Sequence, residues 1–351
     1  MLKQNRIAIR KRILKWFDRR ERDLPWLENR TPYKVWVSEI MLQQTQISTV
    51  IGYYKKFINR FPTVNTLANA NEQSVLAMWE GLGYYRRARQ LHKAAIVVAE
   101  QHGGKFPTDF DSVLALPGIG RYTAGAILSI SLNQKLPILE GNTIRLFSRM
   151  IGLREDAFKR AGQNQLWAAS EILLPNKRAG DFNQAAMDFG REVCRPKNPD
   201  CQSCCLADFC VARVKSLQQE IPFKACKMKY EDLTEAIILL RRRNKILMRQ
   251  CQDGERWAGL WDFPRFNNNG IPTLELSVLE NTGLSARLTT LNHSIKHAVT
   301  RFRIRLDCYE SNQVSGRIKR NSRFKWKTTA EIESLPLSVT GRKFARKFLN
   351  R

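Results

Sequence analysis

The chain has 351 residues, enough for two domains, and its 43% hydrophobic content fills proper cores, which excludes a disordered protein. Lysine and arginine number 59 against 32 aspartates and glutamates, a charge of +27 spread along the chain, so a polyanion such as nucleic acid is the expected partner. No run of 18 apolar residues occurs and residues 1–20 are basic and amphipathic, which argues against a membrane and predicts a soluble monomer of the cytoplasm or nucleoid.

Residues 1–190 predict an almost wholly helical region. Apolar residues recur every three or four positions in 7–17, 35–42, 47–61, 75–78, 88–99, 112–116, 122–132 and 142–151. Pro and Gly mark the joints, at Pro25, Pro32, Pro62, Gly81, Gly83, Gly103, Gly104, Pro137 and Pro175 among others. Glu39 falls mid-helix in Trp36-Val-Ser-Glu-Ile-Met-Leu-Gln-Gln-Thr-Gln46, among apolar neighbours that should desolvate it and raise its pKa. Gln43, four residues on, shares its face. The segment Leu116-Pro-Gly-Ile-Gly120 joins two helices, and Gly118 and Gly120 leave backbone N–H groups bare for a phosphate. Glu140 precedes Gly141-Asn142 at an expected helix start, where the dipole favours an ionised carboxylate. One neutral acid and one anion is the pairing that breaking a glycosidic bond requires.

Of eight cysteines, five lie between Cys194 and Cys210. The spacing Cys194-x6-Cys201-x2-Cys204-x5-Cys210 suits four thiolates on one compact centre, an iron–sulfur cluster before zinc, which more often shows two separated CxxC knuckles. Disulfides come third in a chain without an export signal, and Cys205 is a spare. Cys226, Cys251 and Cys308 read as isolated thiols.

Residues 211–229 carry little periodicity, and the connector is placed at 215–229, separating a domain of 1–214 from one of 230–351. Beyond it, residues 236–240 and 245–249 predict strands around a turn at 241–244, and residues 299–309 alternate as a half-buried strand. The second domain is therefore expected to be a smaller α+β unit.

Together these segments resemble the MutY family of adenine DNA glycosylases and, more distantly, endonuclease III. The resemblance runs over residues 21–210. It rests on Leu24-Pro-Trp26, the run Pro32–Gln46, Trp79-Glu-Gly-Leu-Gly-Tyr-Tyr-Arg-Arg-Ala-Arg89, Leu116–Leu128 and the cysteine spacing. It implies a helix-hairpin-helix fold, a six-helix barrel with a [4Fe–4S] module holding residues 194–210. It also implies double-stranded DNA with a mispaired or damaged base, extruded from the stack. On this likeness Glu39 protonates the leaving purine at N7, Tyr122 supports that end, Glu140 stabilises the oxocarbenium-like sugar and Asn142 orders the site. Trp26, Leu27 and Asp188 border the base, Gln44 fills the hole in the stack, and Tyr84 and Tyr85 either wedge beside it or belong to the core. Endonuclease III relatives carry an amine where this chain has Tyr122, so base removal without an efficient lyase step is implied. The C-terminal domain resembles MutY's Nudix-like lesion reader, through Trp257-Ala-Gly-Leu-Trp-Asp-Phe-Pro264, and residues 273–286 lack the glutamates of a true Nudix hydrolase.

Four positions depart from the pattern. Glu140 replaces Asp, Leu27 replaces an Arg that contacts the purine, Asp188 replaces Glu, and Ile295-Lys296-His297 replaces the Phe-Ser-His that reads 8-oxoguanine. One added methylene moves a carboxylate by roughly an ångström, and such a shift can cost ~100-fold in rate. Three readings follow: an adenine glycosylase acting opposite 8-oxoguanine or guanine, the same scaffold reshaped for another base or lesion, or a non-catalytic lesion-binding protein. The intact Glu39 and the charge kept at Glu140 count against the last.

Overall fold

A computed structural model of the protein describes residues 2–20, 24–224, 229–320 and 322–349; Cys226 and part of the expected connector lie outside them. The helices are α1 (Leu2–Asp18), α2 (Pro32–Leu42), α3 (Ile47–Arg60), α4 (Val64–Ala68), α5 (Glu72–Trp79), α6 (Arg86–Gln101), α7 (Phe110–Ala115), α8 (Arg121–Leu132), α9 (Gly141–Ile151), α10 (Arg160–Leu173), α11 (Ala179–Glu192), α12 (Val211–Val214), α13 (Ile271–Thr282), α14 (Thr329–Ser334) and α15 (Val339–Phe348). The strands are β1 (Glu231–Arg242), β2 (Lys245–Gln250), β3 (Trp261–Asp262), β4 (Arg265–Asn267), β5 (Leu284–Ala286), β6 (Thr289–Val299), β7 (Phe302–Ser311), β8 (Val314–Gly316) and β9 (Phe324–Thr328). Among the described residues no helix is long and apolar enough to cross a membrane. The chain divides into two compact units, Met1–Asn69 with Gln90–Lys227, and Ala70–Arg89 with Met228–Arg351.

In the first unit α2 starts where Thr31 accepts from the Lys34 N–H and Pro32 fills the first helical turn. Its buried residues, Tyr33 to Met41, run almost all the way round, as suits a helix enclosed by others. α8 packs against both α2 and α11. Gly180 permits the approach to α8, since a Cβ there would run into the Ser129 carbonyl; Gly190, further along α11, permits the approach to α9, where a Cβ would lie 2.6 Å from the Asn142 carbonyl oxygen. A second core joins α1, α9, α10 and α11. Ile9, Ile13 and Phe17 recur at four-residue spacing on α1 and meet Phe147, Leu166, Phe182 and Phe189. Each such side chain contributes about 1.5–3 kcal/mol on burial, and the cysteine-bearing loop rests on this core.

In the second unit the sheet order is β3-β2-β1-β7-β6, with β4 on β1 and β9 on β2. β1 runs parallel to β7 and antiparallel to β2. Its alternation splits the core in two: Ala236, Ile238 and Leu240 pack with Leu274 and Val278 of α13, while Ile237 and Leu239 pack with Phe344 and Phe348 of α15.

Two strand expectations are corrected here. The strand expected over 236–240 extends to Glu231–Arg242, because its polar first half is paired along β7. The strand expected over 299–309 is broken: Thr300 adopts a left-handed φ of 51°, Val299 pairs with Phe302 across that turn, and β6 and β7 form a hairpin.

Candidate active site

Glu39 sits in the last turn of α2 and is only 5% exposed. Its carboxyl receives a 2.5 Å hydrogen bond from the Tyr122 hydroxyl at the start of α8. Burial pushes the Glu39 pKa up to about 7; the Tyr122 hydrogen bond opposes this, and the carboxylates of Glu140 and Asp188 add to it. Burial likewise drives the Tyr122 phenol well above its usual range, so it stays a donor.

Glu140 is the N-cap of α9. Its carboxylate accepts from the N–H groups of Asn142 and Thr143, each at 2.9 Å, and the Glu140 N–H donates to the Thr143 hydroxyl at 2.8 Å. Burial raises its pKa, opposed by those two N–H groups, by Arg145 and by the Asn142 side-chain amide. Glu39 has a single hydroxyl where Glu140 has three hydrogen-bond donors and the end of a helix, and this separates a proton donor from an anion.

Both carboxyls line one cavity of about 450 Å³, with Trp26, Gln43, Gln44, Tyr122, Asn142, Met187 and Asp188 around it, a volume that suits a flat heterocycle. Asp188, on α11, is buried and paired with Arg191 at 3.0 Å. Gln43 donates to the Thr123 hydroxyl at 3.3 Å. Gln44 stands exposed with a left-handed φ of 57°. Arg145, which sequence reasoning missed, ties the site together: its guanidinium donates to the Asn142 side chain at 2.9 Å, to the Gly190 carbonyl at 2.5 Å and to the Cys194 carbonyl at 2.7 Å. Only its place three residues after Asn142 hinted at it.

Leu27 is corrected: it does not line the cavity, because its N–H closes a tight turn onto the Leu24 carbonyl, and Leu24 and Trp26 line the wall instead. The tyrosine pair divides. Tyr84 is 51% exposed with a left-handed φ of 49°, whereas Tyr85 is a core residue whose hydroxyl accepts from the Gly81 N–H. Tyr85 is therefore no wedge. Gly118 takes a φ of 78° in the α7–α8 turn, and Gly120 is the N-cap of α8 with no side chain over the helix start. In the second unit, on β6, Lys296 is exposed and His297 is partly buried against Trp257, ring centroids 6.1 Å apart. Burial, then Arg265 and Arg256, lower the His297 pKa to about 4, so its ring is neutral.

Cys194, Cys201, Cys204 and Cys210 line a single apolar pocket with Leu146, Met150 and Phe189, while Cys205 turns to the Arg12 carbonyl. The seven described cysteines are free thiols, Cys251 and Cys308 buried. Burial raises the pKa of Cys201, Cys204 and Cys210, and neighbouring thiolates push the same way. Four cysteine sulfurs around one pocket, lined also by Arg149 and Arg213, fit a cationic inorganic core whose binding deprotonates the thiols. Among the described residues no three His, Cys, Asp or Glu converge on a point suited to one metal ion.

Residues 37–170 match the model of the HhH-GPD superfamily of base excision DNA repair proteins, and residues 236–347 that of the NUDIX domain. The adenine DNA glycosylase of Buchnera aphidicola subsp. Schizaphis graminum is 39% identical over 264 residues, covering 75% of this chain and 76% of its own length. The Homo sapiens adenine DNA glycosylase is 41% identical over 288 residues, 79% of this chain and 53% of that one. Among solved structures, a thermostable thymine-DNA glycosylase aligns with a TM-score of 0.56 at 28% identity, covering 60% of this chain and 98% of its own. An endonuclease III–DNA complex shares the fold, with a TM-score of 0.53 at 20% identity over 62% of this chain and 99% of the enzyme.

Proposed function

The chain belongs to the adenine DNA glycosylase family, and from that membership we propose that it extrudes adenine from duplex DNA and hydrolyses the bond joining base to sugar. The observation that carries the reading is Glu39, a carboxyl with a pKa of about 7 facing the same cavity as Glu140.

The protonated Glu39 gives its proton to N7 of the base, so the electron pair of the glycosidic bond leaves on a neutral purine. Positive charge develops on the sugar and faces Glu140, whose carboxylate the α9 N–H groups hold in place. Water adds at the anomeric carbon and its proton passes to a carboxylate, which restores the acid. Tyr122 offers a phenol and no amine, and no lysine lines the cavity among the described residues, so no Schiff base forms and strand cleavage is not expected.

Gly118 and Gly120 present backbone N–H groups to a phosphate, Gln44 and the exposed Tyr84 enter the stack, and Lys296 with the neutral His297 reads 8-oxoguanine or guanine in the opposite strand. Cys194, Cys201, Cys204 and Cys210 would hold a [4Fe–4S] cluster as thiolates, and the cluster would fasten their basic loop. Such a cluster would supply a rigid cross-link between the four cysteines, and elemental analysis should find iron rather than zinc.

A panel of duplexes, each with one mispair or lesion, incubated with protein and then treated with alkali, tests the proposal. Cutting at adenine opposite 8-oxoguanine or guanine is expected. Cutting at a different base would instead favour a reshaped pocket, the reading that Glu140 and Asp188 suggest, and tight binding without cutting would sink the enzymatic reading.

A further inference from the structure

One wall of the cavity belongs to α11, which presents Gln184, Met187, Asp188 and Arg191 at spacings of three and four, a single helical stripe. Arg191 is the one cation among the described lining residues, and it stands against three carboxylates, Glu39, Glu140 and Asp188. Oδ1 of Asp188, whose side chain is 3% exposed, meets Arg191 Nη2 at 3.0 Å and Gln184 Nε2 at 3.3 Å. Arg191 spends that same nitrogen on Glu192, at 2.6 Å. Among the described residues its Nε and Nη1 make no hydrogen bond. The guanidinium is thus anchored at one corner by two carboxylates and keeps unspent donors beside the cavity.

We propose that Arg191 is a specificity-determining residue that works with Asp188 to read the extruded base, Asp188 accepting from an exocyclic amino group and Arg191 donating to the neighbouring ring nitrogen. The inference rests on the base-removal reading above and adds the choice of base. An acceptor next to a donor complements a 6-aminopurine edge, which offers a donor next to an acceptor. A base with C–H in place of that ring nitrogen leaves the Arg191 donors facing no acceptor, and a site built to pair a polar group discriminates strongly against a substrate that lacks it. All four side chains of this wall stand on α11.

The test compares wild type, Arg191→Ala and Arg191→Lys in single-turnover reactions. One duplex carries adenine and the other 1-deazaadenine, which keeps the amino group but has C–H in place of the ring nitrogen that Arg191 pairs with, at the same position. Wild type is expected to prefer adenine. Arg191→Ala should lose about 10- to 100-fold on adenine, the worth of one good base contact, while 1-deazaadenine cleavage changes less than threefold, and Arg191→Lys should recover part of the loss. Retained 1-deazaadenine cleavage shows at the same time that the variant is folded. Equal losses on both bases would mark Arg191 as a mere brace for α11 and overturn the inference, as would no loss on either. A wild type inactive on both bases removes the base-removal reading and this one with it.

Discussion

Glu39 in the first unit and Asp262 in the second are both almost wholly buried carboxyl groups, yet they are treated in opposite ways. Asp262, with no exposed surface, takes the Arg265 Nε at 2.8 Å, the Ser338 hydroxyl at 3.1 Å and the Phe263 N–H at 2.9 Å. Glu39 has one neutral phenol and two anions for company. A buried charge with a cation and a full set of donors is part of the architecture, because removing its partner strands the other charge. A buried carboxyl with neither keeps its proton into the neutral range and can hand it on. The difference in partners, rather than in burial, separates the site of chemistry from the scaffold.

Replacing each residue breaks the comparison if it is wrong. Glu39→Gln should lower base removal about 10³- to 10⁴-fold, the span that general acids supply, with DNA binding in a gel-shift assay unchanged. Substantial residual activity would take the acid role away from Glu39. Asp262→Ala should leave activity per folded molecule intact and destabilise the protein by about 3–5 kcal/mol in urea unfolding, since the Arg265 guanidinium is left buried beside Trp257 without its main partner. A loss under 1 kcal/mol would mean that pairing is not what holds this cluster.

The helical half was legible because its signals are local: an apolar run around Glu39, Pro-Gly turns, and an N-cap at Glu140. The cysteine spacing likewise survives folding as one pocket. What stayed hidden depends on pairing at a distance. Arg145 reads as another surface cation until Asn142, Gly190 and Cys194 close around it. Arg191 gave no signal apart from Asp188, although their three-residue spacing on a helix would have put them together. Leu27 was misplaced because only the turn at Leu24–Leu27 decides which of these residues faces inward. The β6–β7 break was missed because Val299 continues an alternation that the left-handed Thr300 interrupts.

The acid also has a stability signature of its own. Glu39 has a folded pKa of about 7 against an ordinary value of 4.5, so the folded state holds its proton more tightly than the unfolded chain. That contribution is complete below pH 4.5 and disappears as pH rises through 7. Glu39→Gln keeps a neutral side chain throughout and should gain on wild type at high pH, by about 3 kcal/mol at pH 8 and by little at pH 5. Urea unfolding at the two pH values checks this, and equal stabilities at pH 8 would show that the carboxyl is ionised at little cost.

The smallest effect sharpens the picture most, because its sign is fixed by one hydrogen bond. The Tyr122 hydroxyl donates to the Glu39 carboxylate, which favours the ionised form and holds the pKa below what burial alone would give. Tyr122→Phe removes that donor and raises the Glu39 pKa further. Since the reaction needs protonated Glu39, activity falls on the alkaline side, and in the variant that limb of the kcat profile should move to higher pH. At pH 6, where Glu39 is protonated either way, only the lost support remains, a loss of roughly 3- to 10-fold from one hydrogen bond of about 1 kcal/mol. A limb that moves to lower pH would mean that the phenol steadies the neutral acid, and the division of labour between Glu39 and Glu140 would then need another cause.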